Sequence, residues 1–191
     1  ELRDEFSAEG YKNSLTDKTV VYPIVGIIGQ IRAGVGPYSS LKGDVAAQDA
    51  AIAELAKEHN FLIIVDEVQT GNGRTGALYG YMKYGVTPDI VSTAKGLGGG
   101  LPLGATLFFE KTKDVYTPGS HGSTFGGNPV ATAGAFNIIS RLDENFLNDV
   151  EKKHNYIVSE LSQCEGVKSV SGMGLMLGIE TVKDVNDVLK Y

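Results

Sequence analysis

The hydrophobic positions of this chain change period several times, and each change marks an element. Phe61–Val65 (FLIIV) is continuously apolar and ends in the acidic pair Asp66-Glu67. With no polar position alternating in the run, neither face of it is suited to water, which predicts a strand in a parallel sheet covered by helices on both sides. Before it, Val45, Gln48, Ile52, Leu55 and Ala56 recur at helical spacing between an N-cap at Asp44 and a C-terminal Asn60, predicting a helix packed on that sheet. Further upstream the β-branched run Thr19–Ile28, broken by Pro23 and Gly26, predicts a strand that enters a loop continuing to Gly36.

Beyond the acidic pair, Asp89–Ser92 and Ala105–Phe109 are short apolar runs on either side of a glycine-rich turn, and both predict strands. Helical patterns follow at Pro129–Leu142, with Pro129 in the first turn, and at Asn145–Ser162, where Phe146, Val150, Ile157 and Leu161 fall near one stripe. Val167–Val170 and Leu175–Ile179 then predict two strands joined through Ser171-Gly172-Met173-Gly174. Strands alternating with helices define the class as α/β. The closing helix and strand pair predict a second, smaller domain, placing the division at 1–152 and 153–191.

Composition narrows the partners. The chain has 191 residues, 42% hydrophobic and 21% charged, with 25 glycines that form no repeat. A formal charge of −6 provides no basic excess to displace counterions from a phosphate backbone, so nucleic acid is not expected as a partner. The single cysteine, Cys164, excludes an internal disulfide framework, and His59, His121 and His154 stand too far apart for a metal-ligand motif. No apolar run approaches the roughly 18 residues of a membrane span, and no cleavable signal is visible, so a cytoplasmic location is expected.

The acidic end of FLIIVDE admits two chemistries. One is nucleotide hydrolysis, in which an Asp-Glu pair handles magnesium and water. That requires a G-x-x-x-x-G-K-[ST] loop, and no Gly-Lys dipeptide occurs in the chain. The dinucleotide fingerprint also fails, because Gly34-Val35-Gly36 continues as Pro37-Tyr38-Ser39, and G-x-S-x-G is absent. The other chemistry begins 29 residues after Asp66, where Lys95 follows a strand and is wrapped in Ser92-Thr93-Ala94-Lys95-Gly96-Leu97-Gly98-Gly99-Gly100. Ligands of open α/β sheets bind beyond the carboxyl ends of strands, so Asp66 and Lys95 are expected to face one crevice. Lysine and carboxylate are the pair that pyridoxal 5′-phosphate requires, the lysine for covalent attachment and the carboxylate for the pyridine nitrogen. The plainer alternatives are a capping Asp66, a solvated Lys95, and glycines that serve only turns.

Five motifs in order carry a resemblance. Asp66-Glu67-Val68-Gln69-Thr70-Gly71, Gly73-Arg74-Thr75-Gly76, Tyr84-Gly85-Val86-Thr87-Pro88-Asp89-Ile90, Ala94-Lys95-Gly96-Leu97-Gly98-Gly99-Gly100 and Gly119–Pro129 (GSHGSTFGGNP) resemble the class III, ornithine-type aminotransferases, and most closely their acetylornithine branch. The resemblance runs from about Ala53 to Ile179. It implies the type I fold of PLP-dependent transferases, with 1–152 as part of the PLP-binding large domain and 153–191 as the beginning of a small α+β domain. It implies that Lys95 holds the cofactor and moves the substrate proton, that Asp66 pairs with the pyridine nitrogen with Glu67 in support, that Val68 packs on the ring and that Gln69 approaches its hydroxyl. It further implies that Thr124 reaches the phosphate from a neighbouring subunit of a homodimer and that Ser123 touches substrate. A hydroxyl and backbone amides in a Gly-rich loop before a helix suit a phosphate, although Ser123 and Thr124 also suit simple capping.

The implied activity is transfer of the δ-amino group of N-acetylornithine, or a similar ω-amine, to 2-oxoglutarate. Ornithine, succinylornithine and 4-aminobutyrate aminotransferases are the alternatives within the class, and a non-catalytic remnant that folds without cofactor is the alternative outside it. The family's Ser-Gly-x phosphate cup, its stacking aromatic residue and its substrate arginine have no counterpart in residues 1–52, and only Tyr22-Pro23-Ile24-Val25-Gly26 faintly matches its E-P-x-Q-G-E-G-G loop. The chain is therefore expected to be a fragment or a degenerate copy.

Overall fold

The computed structural model describes residues 53, 54 and 56–189. The upstream strand at Thr19–Ile28, its loop and most of the helix beginning at Asp44 lie outside them. The described residues form two compact units that share the chain in alternation. One takes in the residues up to Glu67, Tyr81–Thr93 and Gly104–Gly126, and the other Val68–Gly80, Ala94–Leu103 and Gly127 onward.

The first unit is built on a three-stranded sheet in the order β1 (Ile64–Asp66), β2 (Ile90–Thr93), β3 (Ala105–Phe108). Val65 and Val91 are register partners with no exposed surface, and Ala56, Ile63 and Val86 complete the buried cluster. Each such valine contributes about 1.5–3 kcal/mol by leaving water. All five residues of FLIIV are buried or half-buried, in agreement with a strand that has no wet face.

Residues 53, 54 and 56–58 are helical, and the helix ends at Asn60. Asn60 adopts a left-handed φ of 53°, and the Phe61 amide donates back to the Ala56 carbonyl at 2.8 Å. This six-to-one bond across a left-handed residue is the Schellman termination, and asparagine tolerates the conformation better than most side chains.

Ladder pairing starts at Ile64 rather than Phe61 because the residue before it is engaged elsewhere. The Ile63 amide donates to Asp89 Oδ2 at 2.8 Å, and the Ile63 carbonyl accepts from the amides of Asp89 (2.8 Å) and Ile90 (3.1 Å). A side chain thus stands in for a strand partner. β1 and β2 run parallel, with Asp66 beside Ser92, whereas β3 returns antiparallel to β2, with Thr93 beside Ala105. The connections account for the difference. Residues 67–89 are long enough for a crossover, but the eleven residues 94–104 are shorter than the dozen or more that a parallel return needs.

The second unit contains a 3-10 turn at Lys95–Gly98, α1 (Pro129–Ser140), α2 (Glu144–Leu161), the antiparallel hairpin β4 (Val167–Met173) and β5 (Met176–Thr181), and the short α3 (Val185–Val188). Asn128 caps α1, its side chain accepting from the Ala131 amide at 2.9 Å with Pro129 at the first helical position, and Asp143 caps α2 through the Phe146 amide at 2.8 Å. The buried face of α1 carries Ala131 and Ala135, and α1 packs on the Lys95–Gly98 turn. A Cβ on Gly134 would lie 2.8 Å from the Gly98 carbonyl oxygen, so this helix reaches the turn only because position 134 has no side chain. On the predicted stripe of α2, Val150 is buried, Ile157 and Leu161 are half-buried and Phe146 is exposed.

Candidate active site

Two loops and a hairpin turn of the second unit build one cavity. The first loop, Val68–Gly76, closes on itself: Thr75 Oγ1 donates to the Thr70 carbonyl at 3.2 Å in a buried position, and the Gly76 amide donates to the Gly73 carbonyl at 3.0 Å. Asn72, Gly73 and Gly76 have positive φ, which explains an asparagine at 72 and glycines at 73 and 76.

The second loop carries Lys95. Its φ of 49° is unusual for a residue with a side chain, and such a conformation costs on the order of 1–2 kcal/mol unless the surroundings hold it. They do. Asn72 Nδ2 donates to the Ala94 carbonyl at 3.0 Å, the Leu97 amide donates to the same carbonyl at 3.1 Å, and Leu97 and Gly98 of the turn are themselves buried. The glycines divide their roles. A Cβ on Gly96 would meet nothing nearer than Asn72 Cβ at 3.8 Å, leaving room beside the lysine, whereas one on Gly99 would meet Ile138 at 3.1 Å, so that position is packed.

The third element is the turn between β4 and β5. Met173 pairs with Met176 across Gly174-Leu175, and the Leu175 amide donates to the Arg74 carbonyl at 2.8 Å, seating the turn on the first loop. The resulting cavity, of about 430 Å³, is lined by Lys95 and Gly96, by Val68, Gln69, Asn72 and Arg74, and by Leu175, Met176 and Leu177. Small-molecule sites occupy roughly 300–1,000 Å³. Three of the residues named by sequence, Lys95, Val68 and Gln69, therefore share one wall system. The contribution of Leu175–Leu177 was not legible beforehand, since Gly172-Met173-Gly174 signals a turn but not what the turn touches.

Asp66 and Glu67 belong to the first unit. Asp66 is exposed at the carboxyl end of β1, with Ser92 Oγ donating to its Oδ1 at 3.5 Å. Glu67 is completely buried: its Oε1 accepts the Tyr81 amide at 2.8 Å and its own amide donates to the Ser92 carbonyl at 2.8 Å. These bonds tie the strand end to the following 3-10 turn, Gly80–Lys83. Ser123 and Thr124 are exposed, and Ser123 Oγ accepts the Gly126 amide at 3.0 Å, the bond of a local turn.

With Lys95 on a left-handed turn lining a half-open cavity, and with strands and helices in alternation along the chain, the molecule has the features of the type I transferase class. The profile of the family described as aminotransferase class-III matches residues 37–191, and the chain belongs to that family. Acetylornithine aminotransferase of Corynebacterium efficiens is 45% identical over 164 residues, 86% of this chain and 38% of the relative. Among solved structures, acetylornithine aminotransferase from Elizabethkingia anophelis aligns with a TM-score of 0.66 at 36% identity, over 74% of this chain and 37% of that one. Ornithine δ-aminotransferase of Plasmodium falciparum aligns with a TM-score of 0.64 at 36% identity, over 74% and 38%. The chain spans less than half the length of the curated relatives it matches. No helix among the described residues is long and apolar enough to cross a membrane.

Proposed function

We propose that this chain carries the lysine-bearing part of the active site of a PLP-dependent aminotransferase that moves the δ-amino group of N-acetylornithine, or a similar ω-amine, to 2-oxoglutarate. The observation that carries the reading is the placement of Lys95, on a left-handed turn and lining a cavity of about 430 Å³ with Val68 and Gln69. The acetylornithine names of the similar proteins support the substrate class.

The cavity fits the cofactor in its donor set: a primary amine for covalent attachment, an amide from Gln69 for a ring hydroxyl, and an apolar Val68 for a ring face. When bound, pyridoxal phosphate supplies an electron sink for the pair released as a substrate C–H bond breaks. Lys95 would hold the group, and its Nζ would be the base that takes up and returns the substrate's proton. The bonds that hold the Ala94 carbonyl fix the backbone from which the Lys95 side chain projects. Asp66 serves as the partner of the ring nitrogen, with Glu67 holding the strand end behind it. Thr124 and Ser123 serve phosphate and substrate across a homodimer. With the group bound, a ping-pong order would be expected.

The test is direct. Incubation with pyridoxal phosphate, reduction with borohydride and peptide mapping should place the label on Lys95 and give none in Lys95→Ala. Absence of both an absorbance change and label in the wild-type chain would leave it as a folded, non-catalytic remnant. Purified chain that labels should also accept the amino group from N-acetylornithine in preference to 4-aminobutyrate. The reverse preference would move the substrate assignment.

A further inference from the structure

We propose that His154 is a positioning residue for the Lys95 cavity, acting through the turn between β4 and β5. His154 lies in the middle of α2, half-buried, and its Nδ1 is 2.8 Å from the Gly174 carbonyl oxygen. A carbonyl oxygen only accepts, so Nδ1 carries the hydrogen and the tautomer is set by the contact. Gly174 is buried with a φ of 53°, and a Cβ there would lie 2.5 Å from the Arg74 carbonyl oxygen and 2.5 Å from the Thr75 carbonyl carbon. The turn is therefore clamped between the Val68–Gly76 loop, through the Leu175 amide on Arg74, and α2, through the imidazole.

What the clamp positions is the wall of the cavity. Leu175, Met176 and Leu177, the residues that leave the turn, line it together with Lys95. Both residues of this two-residue turn bond outside the hairpin, Gly174 through its carbonyl and Leu175 through its amide. The lining also divides by residue type: Gln69, Asn72 and Arg74 come from the loop, and the three apolar residues come from the hairpin. His154 thus determines where the apolar side of the cavity stands. Its link to cofactor chemistry rests on the function proposed above, while its hold on the turn does not.

The experiment uses the 191-residue chain with His154→Leu, which removes the donor, and His154→Asn, whose side-chain nitrogen is as many bonds from Cα as Nδ1 and restores it. Amide hydrogen exchange should rise about tenfold or more at Leu175 in His154→Leu and return to the wild-type rate in His154→Asn. Protection of the paired Val170 and Ile179 should be unchanged in both. If His154→Leu does not fold, His154→Ala, which also removes the donor, takes its place with the same expectation. Unchanged exchange at Leu175, or an equal rise along the whole hairpin, would overturn the proposal. Borohydride trapping of pyridoxal phosphate at Lys95 should slow severalfold in the disrupting variant and recover in His154→Asn. In a wild-type chain that traps the cofactor, equal trapping in all three would also overturn it. A wild-type chain that takes no cofactor would defeat the functional reading alone, and the exchange result would then decide for His154.

Discussion

Asp89 joins three strands through one residue, and its replacement by alanine has a calculable consequence. Oδ2 accepts the Ile63 amide at 2.8 Å, Oδ1 lies 3.6 Å from Lys111 Nζ, and the backbone carbonyl accepts Thr112 Oγ1 at 2.6 Å and the Phe109 amide at 3.0 Å. Asp89→Ala leaves the backbone bonds in place and removes the two carboxylate contacts. The Ile63 amide then has no acceptor in a place where Ile63 itself is only 8% exposed. A buried donor stranded in this way costs about 1–3 kcal/mol. The Lys111 pair adds little, since its amine end is half-exposed and such pairs are worth about 0–1 kcal/mol. The total, about 2 kcal/mol, divided by a urea dependence of about 2 kcal/mol per molar, lowers the unfolding midpoint by about 1 M. Circular dichroism in a urea titration measures it. Asp89→Asn keeps a carbonyl acceptor and should recover at least half of the loss. If Asp89→Ala unfolds at the wild-type midpoint, or moves it no more than Lys111→Ala does, the amide contact is not what stabilises this corner.

Two further outcomes follow from the same packing and electrostatics. Gly134→Ala places a methyl group 2.8 Å from the Gly98 carbonyl oxygen and should destabilise the second unit by about 1–3 kcal/mol, despite alanine's better helix propensity; a variant as stable as wild type in thermal unfolding would mean that α1 is free to shift off the lysine turn. Glu180 is held below the usual carboxylate range by its hydrogen bonds from Lys168 and Ser169 and by the lysine charge. Its stabilising contribution is therefore present above the ordinary glutamate pKa and is lost as pH falls through the lowered one; Glu180→Gln should flatten the acid limb of melting temperature against pH, and an unchanged limb would remove the ion pair from the account.

The elements of this fold were largely legible because burial imposes periods on sequence. FLIIV, the α1 pattern beginning at Pro129 and the α2 pattern ending near Ser162 coincide with their elements to within a few residues, since propensity, capping and apolar spacing agree locally. The candidate lysine was legible for a different reason, that chemistry restricts which residues stand beside it. The missed features depend on what lies opposite in space. The paired part of the first strand is short because Asp89 takes the place of its partner, and β3 runs antiparallel because of connection length rather than hydrophobic pattern.

By itself the sequence determined the class of the chain and the positions of most strands and helices in its described part, and it singled out the candidate lysine. Those depend on contacts within a few residues, or on a motif spelled out contiguously. Tertiary structure decided the rest: that Gly134 lets a helix lie against the lysine turn, that Gly174 and Leu175 sit on Arg74, and that an imidazole from α2 holds them there. Each is a contact between residues tens of positions apart, and the close approach that makes it matter exists only once the chain is packed.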